Sequence, residues 1–135
     1  MFCYCAASRR LARTLAARYD AALSPAGLTA TQFETISVLA ALGSSSGRTL
    51  GQRLAVDKTT LSRNLKPLIA ARLIRGVQDE ADARSVLYSV TPTGTRKLAR
   101  AQPLWQQAHE NTLALLGNMA TASEHTLSRM NQALL

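Results

Sequence analysis

Asp57-Lys58-Thr59-Thr60-Leu61-Ser62-Arg63-Asn64-Leu65-Lys66-Pro67-Leu68-Ile69 is followed, a few residues on, by Ile74-Arg75-Gly76-Val77-Gln78 and Ser85-Val86-Leu87-Tyr88-Ser89-Val90. Asp57 has the side chain of a helix cap, able to accept from the free N–H groups of a first turn. Leu61, Leu65, Leu68 and Ile69 recur at helical spacing and predict one apolar stripe on a helix running to about Leu73. With that stripe inward, Thr59, Ser62, Arg63 and Lys66 share the opposite face, with Thr60 beside them and Lys58 at the edge. Pro67 removes one backbone hydrogen bond and predicts a bend. The period then shortens to two, with Val86, Tyr88 and Val90 alternating against Ser85, Leu87 and Ser89. Two β-prone runs around the polar tip Asp79-Glu80-Ala81-Asp82-Ala83-Arg84 predict a hairpin with an extended loop.

Upstream, an Ala-, Leu- and Arg-rich segment from about Phe2 to Leu23 has no Gly or Pro and reads as one helix, ended by Ser24-Pro25-Ala26-Gly27. Thr29 and Gln32 fit a capping box for a second helix carrying Phe33, Ile36, Leu39, Ala40 and Leu42. Gly43-Ser44-Ser45-Ser46-Gly47 predicts a flexible polar loop. Thr49 and Gln52 suggest a further capping box, opening a short helix with Leu50 and Leu54 inward. Downstream, Thr91-Pro92 places a cap before a Pro at the first helical position. The helix it opens carries Leu98, Ala101, Trp105, Ala108, Thr112, Leu115 and Met119 at alternating spacings of three and four. That is the heptad of a helix packed on another helix. Unbroken to about Thr121 it would span roughly 40 Å, with a kink expected at Pro103. Thr121 and Glu124 suggest a last capping box, before Leu127, Met130 and Leu134. The order is helix, helix, short helix, basic helix, hairpin, long helix, helix. It predicts a mainly α chain with a small β-hairpin wing: a winged helix-turn-helix lobe joined to a helical dimerisation region.

The bulk properties agree. The 135 residues suffice for one domain, and 47% hydrophobic content is enough for a core. Sixteen Lys and Arg against eight Asp and Glu give a formal charge of +8, a bias toward a polyanion. No apolar run reaches the roughly 20 residues that cross a bilayer, and the first residues lack a signal-peptide pattern. Neither membrane association nor export is expected, and the cytoplasm is the default location. Cys3 and Cys5, the only cysteines, exclude a disulfide scaffold and read as free thiols. A four-thiolate metal site would need two chains, and His109 and His125 lack metal-ligand spacing, so no metal or other cofactor is expected. There is no nucleophile with a base, no pair of carboxylates in a cleft pattern and no phosphate-cradling glycines, which argues against an enzyme.

Small hydroxyls let a helix sit deep in the major groove, where Arg and Lys reach guanine edges or phosphates. An Arg at a wing tip suits a narrow minor groove, and Asp82 is placed to orient the Arg84 guanidinium. The candidate contacts to double-stranded DNA are therefore Lys58, Thr59, Thr60, Ser62, Arg63, Lys66, Asp82 and Arg84. A solvated amphipathic helix and a surface ion pair are the plainer readings of the same residues.

Asp82-Ala83-Arg84-Ser85-Val86-Leu87-Tyr88-Ser89-Val90-Thr91 with Gly94 resembles the wing of the MarR family of bacterial regulators: Asp-x-Arg, a short strand, an aliphatic-Thr pair and a nearby Gly. Thr31-Gln32 and Thr60-Leu61-Ser62-Arg63-Asn64-Leu65 are similar to the family as well. The resemblance implies one MarR-like domain over 1–135, with dimerisation helices at about 1–28 and 93–135 and a DNA-binding lobe at about 29–92. It implies a homodimer that reads a pseudo-palindrome as a repressor or activator, with half-sites about one helical turn apart. The family places Gly where this chain has Arg72, so either the helix end differs in shape or Arg72 touches the DNA backbone. The chain also begins almost at the first dimerisation helix.

Cys5 and Tyr19 fall where some organic-hydroperoxide sensors of that family keep a reactive Cys and a Tyr that contacts it. The second Tyr of that pattern falls at Arg9. A thiol near a helix N-terminus with Arg9 one turn on suits a redox sensor, and two ordinary cysteines are the alternative. The family tends to bind small-molecule effectors between the dimerisation helices and the winged lobe, which makes Arg9, Phe33 and Trp105 candidate pocket residues. By periodicity alone, Trp105 reads as core. The rival to a DNA-binding regulator is a helical dimer that serves as a protein-interaction module.

Overall fold

The computed structural model describes residues 1–135. Helix α1 (Tyr4–Leu23) runs into a 3-10 turn (Ser24–Ala26) that Gly27 closes at φ +69°, a left-handed conformation suited to glycine. Helix α2 (Ala30–Leu42) opens on the predicted capping box: Thr29 accepts from the Gln32 N–H, and the Gln32 side chain accepts from the Thr29 N–H. Strand β1 (Ser45–Ser46), helix α3 (Gly47–Leu54) and helix α4 (Lys58–Ala70) follow. The wing is β2 (Ile74–Gln78) paired antiparallel with β3 (Val86–Val90), from Ile74 opposite Val90 to Gln78 opposite Val86. Helix α5 (Pro92–Leu116) then extends 25 residues, about 38 Å at 1.5 Å per residue, before helix α6 (Met119–Leu134).

Five local expectations need correction. The segment predicted as a flexible loop contains β1, which pairs Ser45 with Tyr88 and Ser46 with Leu87 and makes the sheet three-stranded, in the order β1-β3-β2. Ser46, not Thr49, caps α3, accepting from the Thr49 N–H at 3.2 Å. Helix α4 stops at Ala70 rather than near Leu73. The Leu73 N–H donates to the Leu68 carbonyl and the Arg72 N–H to the Ile69 carbonyl, both at 2.9 Å, so Arg72 occupies the left-handed site of a Schellman end at φ +58°. The helix end thus keeps the shape a glycine would give it. Helix α5 ends at Leu116, because Gly117 turns the chain at φ +55°. Helix α6 begins at Met119 without a side-chain cap, and Thr121 and Glu124 lie inside it.

The core gathers where the lobe meets α5. Leu23, Ile36, Leu39, Leu50, Leu68 and Ile74 are fully buried, with Phe33, Leu61, Leu65 and Ala101 beside them. Each such Leu or Ile contributes on the order of 1.5–3 kcal/mol relative to an exposed one. Leu61, Leu65 and Leu68 supply the inward stripe of α4, as their spacing predicts. Ile69 does not join it: it is 43% exposed and faces the groove beside the wing. Thr35 is buried among the apolar residues with its hydroxyl donating to the Thr31 carbonyl at 2.8 Å, so that hydroxyl is satisfied.

One junction ties α4, the wing and α5 together. The Thr91 N–H donates to the Leu73 carbonyl at 3.0 Å, and its hydroxyl donates to the Arg72 carbonyl at 2.6 Å. The same hydroxyl accepts from the Gly94 N–H at 3.0 Å, capping α5, with Pro92 in the first turn. Gly94 is packed so closely that a Cβ would stand 2.0 Å from the Leu73 carbonyl oxygen.

Two stability predictions follow from this geometry. Gly94→Ala forces backbone against backbone and should cost at least ~3 kcal/mol, within the range of severe packing defects, read as a collapse of the urea midpoint. Arg72→Gly relieves a left-handed side chain and should raise stability by about 0.5–1 kcal/mol. An unchanged midpoint for Arg72→Gly would mean that Arg72 makes compensating contacts.

Candidate nucleic-acid interface and effector cavity

Asp57 sets the start of α4. Its carboxylate accepts from the Thr60 N–H at 2.7 Å, and its pKa is lowered from the usual 3.8, first by that backbone bond and then by the Thr60 hydroxyl, against an opposing desolvation, with the Thr59 N–H lowering it least. With the first turn fixed, Lys58, Thr59, Thr60, Ser62, Arg63 and Lys66 are all exposed. Opposite them the wing tip is held by its own main chain. The Asp79 N–H donates to the Ser85 carbonyl and the Ser85 N–H to the Asp82 carbonyl, both at 2.9 Å, while the Gln78 side chain donates to the Ala83 carbonyl. Asp82 accepts from the Arg84 backbone N–H at 3.0 Å. The bond expected to orient the guanidinium goes instead to the main chain, so Asp82 shapes the turn that presents Arg84.

Between α3, α4 and the wing lies an open groove of about 1270 Å³. It brings together Lys58, Ser62 and Lys66 from α4 with Asp82 and Arg84 from the wing, over a floor that includes Leu65, Ile69 and Tyr88. Thr59, Thr60 and Arg63 lie on the exposed face of α4 outside this lining. Arg48 and Gln52 of α3 also border the groove, and the sequence reading missed them. The signal was present in the polar side of α3, whose spacing opposes Leu50 and Leu54, but misplacing the helix start obscured it.

A second, smaller cavity of about 570 Å³ opens between α1, α2 and α5. Phe33 and Trp105 stack there at 5.8 Å between ring centroids, Trp105 stacks on His109 at 5.0 Å, and Tyr19 leans on Trp105 at 6.3 Å. The Tyr19 hydroxyl lies 3.3 Å from His109 Nδ1. Phe33 and Trp105 line the cavity, as does Tyr19, whereas Arg9 is exposed on α1 and does not. Arg9 stands ten residues before Tyr19 on a continuous helix, about 15 Å away along the axis.

Cys3 and Cys5 are free and exposed. Cys3 is the extended residue before the first turn of α1, not a helical neighbour of Cys5. Cys5 and Tyr19 are fourteen residues apart on that helix, about 21 Å, so one chain does not bring them together. No group of three or more His, Cys, Asp and Glu side chains is arranged to hold a metal ion. No helix is long and apolar enough to cross a membrane.

Residues 26–85 match the MarR family. The fold is similar over its whole length to that of the M. tuberculosis transcriptional regulator MOSR solved in complex with DNA: 35% identity, 98% of each chain covered, TM-score 0.84. It is also similar to the PcaV transcriptional regulator of Streptomyces coelicolor in complex with its natural ligand, at 23% identity over 95% of this chain and 91% of that one, TM-score 0.85. A third likeness is S. aureus MepR in a DNA complex, at 19% identity over 98% and 99% of the two chains, TM-score 0.83. Comparison with curated protein sequences gives no match.

The Asp57 cap makes a signed prediction. A depressed folded pKa contributes stability that is present above the unfolded value, near 3.8, and is lost as pH falls through the lowered folded value. Asn caps a helix without titrating. Relative to Asp57→Asn, the unaltered chain should therefore lose stability on acidification through this window, read from urea midpoints at pH 7 and pH 3. A difference that stays constant with pH would show that the cap does not depend on the charge.

Proposed function

The chain belongs to the MarR family, and on that premise we propose that it is a homodimeric transcriptional regulator that grips a pseudo-palindromic duplex site. Helix α4 enters the major groove with Thr59, Ser62 and Arg63 toward the bases, while Lys58, Lys66 and the wing's Arg84 engage the flanking backbone and minor groove. The observation that carries this reading is the shared groove: Lys58, Ser62 and Lys66 face Arg84 across it, on elements that the Thr91 junction holds in register. Arg48 and Gln52 border the same groove and extend the phosphate-facing surface. The formal charge of +8 supplies a salt-dependent attraction to DNA.

Two lobes reading half-sites about one helical turn apart require a dimer. Support comes from apolar surface left uncovered on the helical ends. Leu113, Leu115, Met119 and Leu127 are exposed, and α6 buries none of its residues. The grip on DNA is altered by a small effector in the cavity lined by Phe33, Trp105 and Tyr19, or by oxidation of the exposed Cys5 thiol. The Cys5–Tyr19 contact implied by the sequence resemblance would have to form between subunits. The residues that carry the proposal are those of a binding protein rather than of an enzyme.

The test is binding to DNA from the upstream region of the chain's own gene, followed by fluorescence anisotropy across a salt series. Arg84→Ala should weaken binding to all sequences by a similar factor and lower the salt slope by about one. Arg63→Ala should instead flatten discrimination at one or two base pairs by roughly tenfold or more. If Arg63→Ala retains the full sequence preference, α4 is not the reading helix. Absence of binding at low salt would overturn the DNA-binding proposal itself.

A further inference from the structure

The α1–α2–α5 cavity has an unusual electrical character for a chain this basic. Of the residues that line it, Glu34 alone carries a charged side chain, and no Lys, Arg or His is among them. The rest of the wall is apolar or aromatic, with the rings of Tyr19, Phe33 and Trp105 supplying π surface. Ser37 adds one hydroxyl that is buried and has no hydrogen-bond partner. Aromatic faces present negative electrostatic potential, and a carboxylate beside them reinforces it. His109 stacks on Trp105 from outside the lining, so among the lining residues Glu34 is the charge a ligand meets.

Resting on the effector reading above, we propose that this cavity takes an aromatic organic cation and discriminates against aromatic anions of the same shape. The rings supply contact area and cation–π attraction, and the carboxylate of Glu34, an exposed residue of the lining, supplies the counter-charge. The cavity, at about 570 Å³, falls in the usual small-molecule range of roughly 300–1,000 Å³. An aromatic acid would meet a like charge at Glu34 and no cation to offset it. Arg9, a candidate pocket residue by sequence, is absent from the wall.

Trp105 is the only tryptophan in the chain, so its fluorescence reports directly on the cavity. Tetraphenylphosphonium and tetraphenylborate are nearly isosteric ions of opposite charge. The proposal expects saturable quenching of Trp105 by tetraphenylphosphonium and at least tenfold weaker binding of tetraphenylborate, despite the positive net charge of the chain. Glu34→Gln should reduce that preference to within about threefold. Circular dichroism verifies that the variant is folded; a misfolded Glu34→Gln leaves the comparison of the two ions on the unaltered protein as the deciding result. Saturable quenching by the borate equal to or stronger than that by the phosphonium would overturn the charge assignment while leaving the effector cavity in place. No saturable change with either ion would overturn the cavity as a site for ligands of this kind, and the DNA-binding measurements stand or fall independently of it.

Discussion

Thr91 and Gly94 hold together three elements that would otherwise be set only by soft packing. Through its N–H and hydroxyl, Thr91 fastens the start of α5 to the carbonyls of Arg72 and Leu73, which close α4 and open β2. Gly94 lets the backbones approach to a separation that no side chain tolerates. The angle between the reading helix and the wing, and the direction in which α5 leaves the lobe, are therefore fixed by main-chain geometry. Side chains on α4 and the wing can vary without disturbing that frame. This separation of frame from contact surface is what allows a groove to be lined by Lys58, Lys66 and Arg84 from different elements with no bond among their side chains.

The same frame connects the groove to the aromatic cavity. Phe33 sits on α2 and Trp105 on α5, and they stack across the interface of those helices. Helix α2 in turn packs on α3, α4 and β3. A molecule wedged beside Phe33 therefore acts on an element that touches α3, α4 and β3 of the winged lobe. It can change DNA affinity only to the extent that it binds two arrangements of these helices unequally. The stacked rings are suited to that, because a packed aromatic layer has few intermediate positions between seated and displaced.

Much of this architecture was legible in the sequence, for identifiable reasons. The caps at Thr29, Asp57 and Thr91 are side-chain oxygens that fall at the right offset from a first turn, so local chemistry and final structure agree. The stripe of Leu61, Leu65 and Leu68 and the alternation of Val86 to Val90 are periodic signals of burial and pairing. What was missed lacks a local signal. Strand β1 is two serines, held by backbone bonds to Tyr88 and Leu87 that leave no trace in hydropathy. The start of α6 follows from the left-handed turn at Gly117, which a plausible capping box four residues later concealed. Ile69 matches the stripe by spacing but lies at its margin, where the facing wing determines exposure. Among the candidate site residues, the groove unites those whose distance along the chain is bridged by the hairpin. Cys5 and Tyr19 share one straight helix that cannot fold them together.

Helix α5 shows how the heptad signal could be right and still exceed what one chain covers. Ala101 and Ala108, within the first two-thirds of α5, are buried, with α1 packed alongside. Leu115, on the same stripe, is 65% exposed, and Met119 continues that exposure into α6. A 16-residue helix that buries nothing is marginal by itself, since isolated helices of about 12–15 residues are barely stable in water. Its apolar residues need a second surface, and this chain leaves Met119, Leu127 and Leu134 exposed. The stripe thus has two clients: the chain's own α1 along α5 as far as His109, and the partner subunit proposed above along the end of α5 and α6. On that view the exposed leucines are half of an interface, and the two-fold spacing of the α4 helices is set by the helical ends rather than by the winged lobe.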